Sequence, residues 1–346
     1  MVDVAVMERN LAAMARLAAS AGVRLRPHAK THKTPLVARR QLEHGAAGLT
    51  VATLREAEVF AESGIDDLLL AHPPVGQAKL DRLARLGESV RRLAVSLDSL
   101  ELAGTLPESV EVLWEVDTGL RRIGTPPGEA TVEAVRRLVE GIGPARFRGL
   151  ITHAGHAYAA ARPQDREAVA AQEAMGLIET GAMLRARGIP VLELSVGSTP
   201  TAPYAGRFDG TTEMRPGTYV FGDANQVTLG SQTLEDCALA VVGSVVSTPA
   251  RDRAVLDAGS KALSADLRVP GLDSFGIVLG REDLTVDRLH EEHAVIGGKG
   301  AGGLRIGDRL VIVPAHACTT VNLHPALLYL SETEATWHPV EARGWR

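Results

Sequence analysis

The chain has 346 residues, more than one hydrophobic core usually organises, so a large domain followed by a smaller one is expected. A formal charge of −5, with arginines gathered mainly on helix-like stretches, leaves no broad basic field and argues against a nucleic-acid partner. The N-terminus lacks the basic flank and apolar stretch of a secretion signal and no run of about eighteen apolar residues occurs, so no membrane partner and a cytoplasmic location are expected, with Cys237 and Cys318 reduced.

From residue 7 to about 220, short apolar runs alternate with longer segments of helical period, the rhythm of parallel β/α units. The strand candidates are 23–28, 48–52, 67–72, 92–97, 110–116, 147–153, 191–196 and 213–221. Helical segments at 34–44, 53–63, 75–87, 99–104, 128–140 and 164–187 separate most of them, while the seventh and eighth are joined by a loop without a helix. This predicts an α/β fold, a (β/α)8 TIM-type barrel over residues 1–223. Beyond it, runs such as ALAVVGSVVS, RAVLDAG and DRLVIVPA between Gly, Asp and Pro turns predict a β domain over 224–346.

Barrels carry their chemistry just past the C-terminal ends of the strands. His28, Lys30 and His32 follow the first strand, Asp117 and Arg122 the fifth, and His153, His156 and Tyr158 the sixth. Cations crowded around Lys30 favour a neutral, nucleophilic amine, with Lys33 competing for that role and a plain solvated basic loop as the alternative. After the seventh strand, SVGSTPT offers hydroxyls and backbone amides for a phosphate through Ser198 and Thr199, and Gly217, Thr218 and Tyr219 supply the neighbouring eighth-strand loop. Near the C-terminus, His316 and Cys318 stand at i and i+2, on one side of an extended segment, and imidazole plus thiolate suits zinc. Gly298, Gly300 and Gly303 have dinucleotide-fingerprint spacing, but a strand-like LRIGDRLVIVP follows where that fingerprint needs a helix, so they read as a loop.

Together these segments resemble the fold-type III pyridoxal-phosphate enzymes, in the branch containing D-serine dehydratase and D-threonine aldolase, over nearly the whole chain. RPHAKTHK resembles the branch's cofactor-lysine motif, which implies that Lys30 forms the Schiff base with pyridoxal 5'-phosphate. DTGLRRIG implies that Arg122 approaches the phenolic oxygen, and HAGHAY, carrying His153 and Tyr158, is similar to a cofactor-flanking strand end. SVGSTPT and MRPGTY resemble the phosphate loops, and PAHACTTVNLH resembles the metal motif, with zinc, manganese or magnesium as the implied ion.

The resemblance implies a lyase acting on a small D-β-hydroxy amino acid, catalysed by Lys30, His316 and Tyr158. Lys30 would take the Cα proton and the metal would help the β-hydroxyl to leave. Branch dehydratases resemble H-x-C at the metal and the better-known aldolases H-x-D, so Cys318 tilts the reading toward dehydration of D-serine or D-threo-3-hydroxyaspartate. Retro-aldol cleavage of the D-threonine aldolase type is the alternative and amino-acid racemisation a further one, against which the metal pair argues. A non-enzymatic cofactor carrier is disfavoured by the large C-terminal domain, and the family implies a homodimer.

Overall fold

The computed structural model describes residues 1–266 and 268–344. They fall into two compact units, one of Ala12–Lys30 with Thr34–Gly217, the other of Met1–Leu11, Thr31–Lys33 and Thr218–Arg343.

The first unit is an eight-stranded parallel sheet with intervening helices. Its strands are β1 (Arg24–Leu25), β2 (Leu49–Val51), β3 (Asp67–Leu70), β4 (Arg92–Leu97), β5 (Glu111–Glu115), β6 (Phe147–Ile151), β7 (Glu193–Val196) and β8 (Glu213–Met214). Pairing runs in sequence from β2 to β8, which then pairs with β1. The sheet closes on itself because the Ala47 and Thr50 amides donate to Leu25 O and Pro27 O, both at 2.8 Å, and His28 bridges Thr50. Runs such as Leu68, Leu69, Leu70 and Leu93, Ala94, Val95 are buried on both faces, as a helix-covered parallel sheet requires.

Helices α1 (Val4–Ser20), α2 (Pro35–Glu43), α3 (Leu54–Glu62), α4 (Gln77–Ser89), α5 (Leu100–Thr105), α6 (Glu129–Ile142) and α7 (Pro163–Ala186) accompany the strands. Hydroxyl caps start three of them. Thr34 accepts from Leu36 N, Thr53 from Glu56 N and Ser99 from Leu102 N, which ends each preceding loop at a defined residue. α1 lies outside the helical segments expected from sequence, and the seventh-to-eighth connection carries a 3-10 helix, Ala202–Arg207.

The period of two along the strands sorts the barrel interior into layers. At one level Arg26 pairs with Glu213 at 2.8 Å and Asp67 at 2.6 Å. Leu69, Ala94, Leu113 and Ile151 form a separate apolar cluster. Two residues further along the same inward rows stand Ser96, Glu115 and, from β8, Arg215, so one parity delivers both the plug and the polar mouth.

The eighth strand is shorter than the predicted 213–221. Arg215 N still donates to Val196 O at 2.9 Å, but Pro216 has no N–H to extend the ladder, and Thr218–Val220 coils into a 3-10 turn.

The second unit holds β9 (Val241–Ala250), β10 (Arg253–Leu256), β11 (Gly276–Val278), β12 (Thr285–Leu289), β13 (Ala294–Gly297) and β14 (Arg309–Pro314) in one antiparallel sheet, ordered β11-β14-β9-β10-β13-β12. Val245, Leu256, Val286, Ile296 and Ile312 are central to its core. Strand Val2–Asp3 pairs in parallel with β15 (Ala326–Leu330), which pairs with β16 (Ala335–Pro339). The glycines between β13 and β14 lead only into the 3-10 turn Ala301–Gly303, so no helix N-terminus receives a pyrophosphate there.

Candidate active site

At the C-terminal ends of the barrel strands, β1 leads into His28 and the 3-10 turn Ala29–Thr31, which carries Lys30 half-buried. Burial, reinforced by the charges of Lys30, His153, Arg215 and Arg122, holds His28 well below its ordinary value. Burial and the charges of Lys30, Arg122 and Arg215 do the same to His153. The structure thus gathers Lys30, Arg122, His28 and His153 at one mouth, with both imidazoles neutral. Arg122 is presented by a tight turn in which Asp117 Oδ1 accepts from the Gly119 and Arg121 amides, each at 2.9 Å, while Arg121 takes φ 58°. Tyr158 stands half-buried in the 3-10 helix Gly155–Ala159 that follows β6.

Beyond β7, Gly197, Ser198, Thr199 and Thr201 are buried, and Ser198 Oγ meets Thr201 Oγ1 at 2.8 Å. A Cβ at Gly197 would stand 3.0 Å from Arg215 Cβ and 3.2 Å from its backbone nitrogen, so a larger residue would have to push the two strand ends apart. Arg215 donates to Ser195 Oγ at 2.7 Å, to Val196 O at 3.1 Å and to Thr152 O. Burial lowers its pKa from the usual range, while Glu115, Glu213 and Glu173 favour its charge. Hydroxyls and a backbone turn ahead of a 3-10 helix suit an anion, and Lys30 at the mouth suits an aldehyde, so pyridoxal 5'-phosphate fits the chemistry present.

In the second unit, His316 and Cys318 do not lie on an extended segment. β14 ends at Pro314, His316 is the N-cap of the helix Ala317–Leu323, and Cys318 is already helical. The two side chains nevertheless come together, because the turn into the helix brings the thiol back to the imidazole, within hydrogen-bonding reach. Asp266 Oδ2 lies 2.7 Å from His316 Nδ1, and Asp223 anchors the turn by accepting from Ala317 N at 2.9 Å. Burial would lower the His316 pKa, but Cys318, Asp266 and Asp223 outweigh it and push the group up to about 11. Cys318 Sγ also meets Thr31 Oγ1 at 3.1 Å and Thr218 Oγ1 at 3.7 Å.

Among the described residues no third His, Cys, Asp or Glu joins the pair to make a closed metal cage. An imidazole with Nδ1 tied to a carboxylate and Nε2 left for a ligand, beside a thiol, is a donor set that fits a divalent metal with open positions.

Thr218, expected at the phosphate, has its hydroxyl 3.7 Å from the Cys318 sulfur, buried Tyr219 lies in the same 3-10 turn, and Gly217 ends the barrel unit. Four contributors were not singled out from sequence. Arg215 and Thr31 lie inside quoted motifs, and Glu173 repeats with Ala170, Ala174 and Leu177 on the buried stripe of α7, so each left a local signal. Asp266 left none, since it reaches His316 from fifty positions away.

A barrel-mouth lysine among neutral histidines, hydroxyl loops on adjacent strands and a β domain with an imidazole–thiol pair define a fold-type III cofactor enzyme. Residues 2–225 match the family described as alanine racemase, N-terminal domain, and residues 238–330 match the putative serine dehydratase domain. The chain belongs to the fold-type III pyridoxal-phosphate family, in the D-serine dehydratase and D-threonine aldolase branch, and is a lyase.

It is 34% identical over 370 residues to D-threo-3-hydroxyaspartate dehydratase of Delftia sp. (strain HT23), covering 99% of this chain and 96% of that one. The solved structure of that protein aligns with a TM-score of 0.90, at 34% identity over 99% of this chain and 97% of that one. Variants of it with alanine for a histidine, and for a cysteine two positions on, have been solved, the latter in a metal-free form. D-threonine aldolase of Arthrobacter sp is 32% identical, covering 99% and 92% of the two chains, and D-serine dehydratase of Dictyostelium discoideum 31%, covering 91% and 88%.

Proposed function

We propose that the chain removes water from a small D-β-hydroxy amino acid, D-serine or D-threo-3-hydroxyaspartate, yielding a 2-oxo acid and ammonia. The observation that carries this choice is the sulfur of Cys318 beside His316. Pyridoxal 5'-phosphate bound through Lys30 supplies an electron sink for the Cα carbanion. Lys30 Nζ takes the Cα proton. His28 and His153, both held neutral, stand beside Lys30 at the mouth. Ser198, Thr199, Gly217 and Thr218 would hold the phosphate, Arg122 would approach the ring oxygen, and Tyr158 would stand beside the ring.

A divalent metal on His316 and Cys318, with zinc best suited to imidazole and sulfur, supplies a Lewis acid for the β-hydroxyl. Asp266 fixes the His316 tautomer and Thr31 steadies the sulfur. The match of 238–330 to the serine dehydratase domain supports this reading over racemisation. The resemblance to D-threonine aldolase keeps retro-aldol cleavage as the second reading, served by the same groups. Division at 223/224, a homodimer and a cytoplasmic location belong to the same proposal, supported by the family resemblance.

The test is incubation of metal-replete protein with D-serine, D-threonine and D-threo-3-hydroxyaspartate, scoring ammonia and 2-oxo acid against glycine and aldehyde. Ammonia with 2-oxo acid supports dehydration. Glycine with aldehyde replaces it by cleavage.

A further inference from the structure

Helix α7 presents a buried stripe of Ala170, Glu173, Ala174, Leu177, Gly181 and Leu184 to the barrel. Five of these are what a helix needs to pack on a sheet. Glu173 is not. It is 2% exposed, and its direct partners are amides and a hydroxyl, with Arg215 acting through its charge. A carboxylate without a paired cation is costly to bury, and a leucine would fill the same stripe without that cost. The position must therefore be explained by what the carboxylate touches.

Gly197 N–H donates to Glu173 Oε1 at 2.7 Å, and the Gly197 carbonyl accepts from Ala154 N at 3.2 Å. The Ala154 amide and the Thr201 hydroxyl also favour the ionised carboxylate. Ala154 directly follows His153 on the loop after β6, and Gly197 directly precedes Ser198 on the loop after β7. Glu173, Gly197, Ser198, Thr201, Phe208 and Thr211 are among the residues that line a small pocket here.

We propose that Glu173 is a positioning residue that clips together the loop after β6 and the loop after β7, and so sets how tightly the cofactor's phosphate is held. The inference rests on the reading of Ser198 and Thr199 as phosphate contacts. Its geometry is independent of the metal pair. Burial pushes the carboxyl up to about 7, against the amides of Gly197 and Ala154, the Thr201 hydroxyl and the Arg215 charge, in keeping with a group kept for its contacts at the expense of easy ionisation.

The experiment measures dissociation constants of the apoprotein for pyridoxal 5'-phosphate and for pyridoxal, which lacks the phosphate, in the parent, Glu173→Leu and Glu173→Gln. Loss of a charge-assisted bond to the loop predicts a weakening of about tenfold or more for pyridoxal 5'-phosphate in Glu173→Leu. Pyridoxal should bind the three proteins alike. In Glu173→Gln one oxygen can still accept from Gly197, but the new –NH2 opposes the Ala154 amide, so a smaller loss of about two- to tenfold is expected, again only for the phosphorylated form. At saturating cofactor, kcat should stay within about twofold of the parent, since nothing that touches the reacting atoms has changed.

Should Glu173→Leu fail to fold, the Glu173→Gln ratio decides alone. An unchanged ratio of the two dissociation constants in every folded variant would overturn the clip, as would an equal loss for both ligands. A parent protein that does not prefer the phosphorylated form at all would instead sink the phosphate-loop reading on which the clip rests.

Discussion

His316 Nδ1 and Asp266 Oδ2 lie 2.7 Å apart, so the ring nitrogen left for a ligand is Nε2. Replacing Asp266 by Ala should weaken divalent-metal affinity by about 10- to 100-fold, whereas His316→Ala or Cys318→Ala should abolish tight binding. Competition with a chromophoric chelator measures all three. Cofactor absorbance should persist in each variant, and an Asp266→Ala protein with parental metal affinity would show that the carboxylate does not orient the ring.

A second pair governs the barrel itself. Arg26 is 1% exposed and links Glu213 and Asp67 across strands β8, β1 and β3. Arg26→Met removes the buried cation the two carboxylates share, leaving Glu213 to Arg24 at 3.6 Å and Asp67 to Arg91 and Arg92 at 3.1 and 3.7 Å, and should cost about 3 kcal/mol. Guanidinium unfolding of the two proteins reads the loss directly. A change below about 1 kcal/mol would mean that water already reaches this layer.

Acid should loosen the fold through the histidines of the mouth. His28 and His153 are held below their ordinary value of 6.5, so they stay neutral in the folded protein while the unfolded chain protonates near that value. Their contribution is complete above pH 6.5 and is lost as pH falls from there toward the folded-state pKa. Glu173 runs the other way, because its raised pKa of about 7 makes its contribution complete below 4.5 and lost as pH rises through 7. Comparing His153→Asn with the parent cancels the Glu173 contribution. The variant's unfolding midpoint should fall less steeply between about pH 6.5 and 5 than the parent's. Equal slopes would contradict a neutral His153.

How far these features could be read from sequence depended on whether their cause was local. β3 and β4 were legible because DLLL and RLAVSL are short apolar runs with nothing to interrupt them. The last barrel strand was over-read because E-M-R-P-G-T-Y-V-F scores as β-prone, while Pro216 removes the donor that a longer ladder needs. His316 and Cys318 were found as a pair, yet the helix start that joins them was missed, since PAHACTT has neither a Ser nor an Asp at the cap. Asp266 could not be found at all, because only the folding of the second unit brings it to His316. The 3.7 Å approach of Thr218 to the Cys318 sulfur was not legible either, since a hydroxyl in a phosphate-like loop does not disclose a neighbour a hundred positions away.

The lysine is the centre of the account, and Lys33 is its rival in sequence. In the structure Lys30 sits at the barrel mouth with His28 and His153, whereas Lys33 falls in the other unit, with φ 53° and its carbonyl bonded to Ala342 N. The most direct measurement is borohydride reduction of the cofactor-loaded protein, which makes the lysine–cofactor bond permanent, followed by peptide mapping by mass spectrometry. The reduced cofactor should appear on Lys30 alone and be absent from Lys30→Ala. Label on Lys33, or on no lysine of the segment, would contradict it.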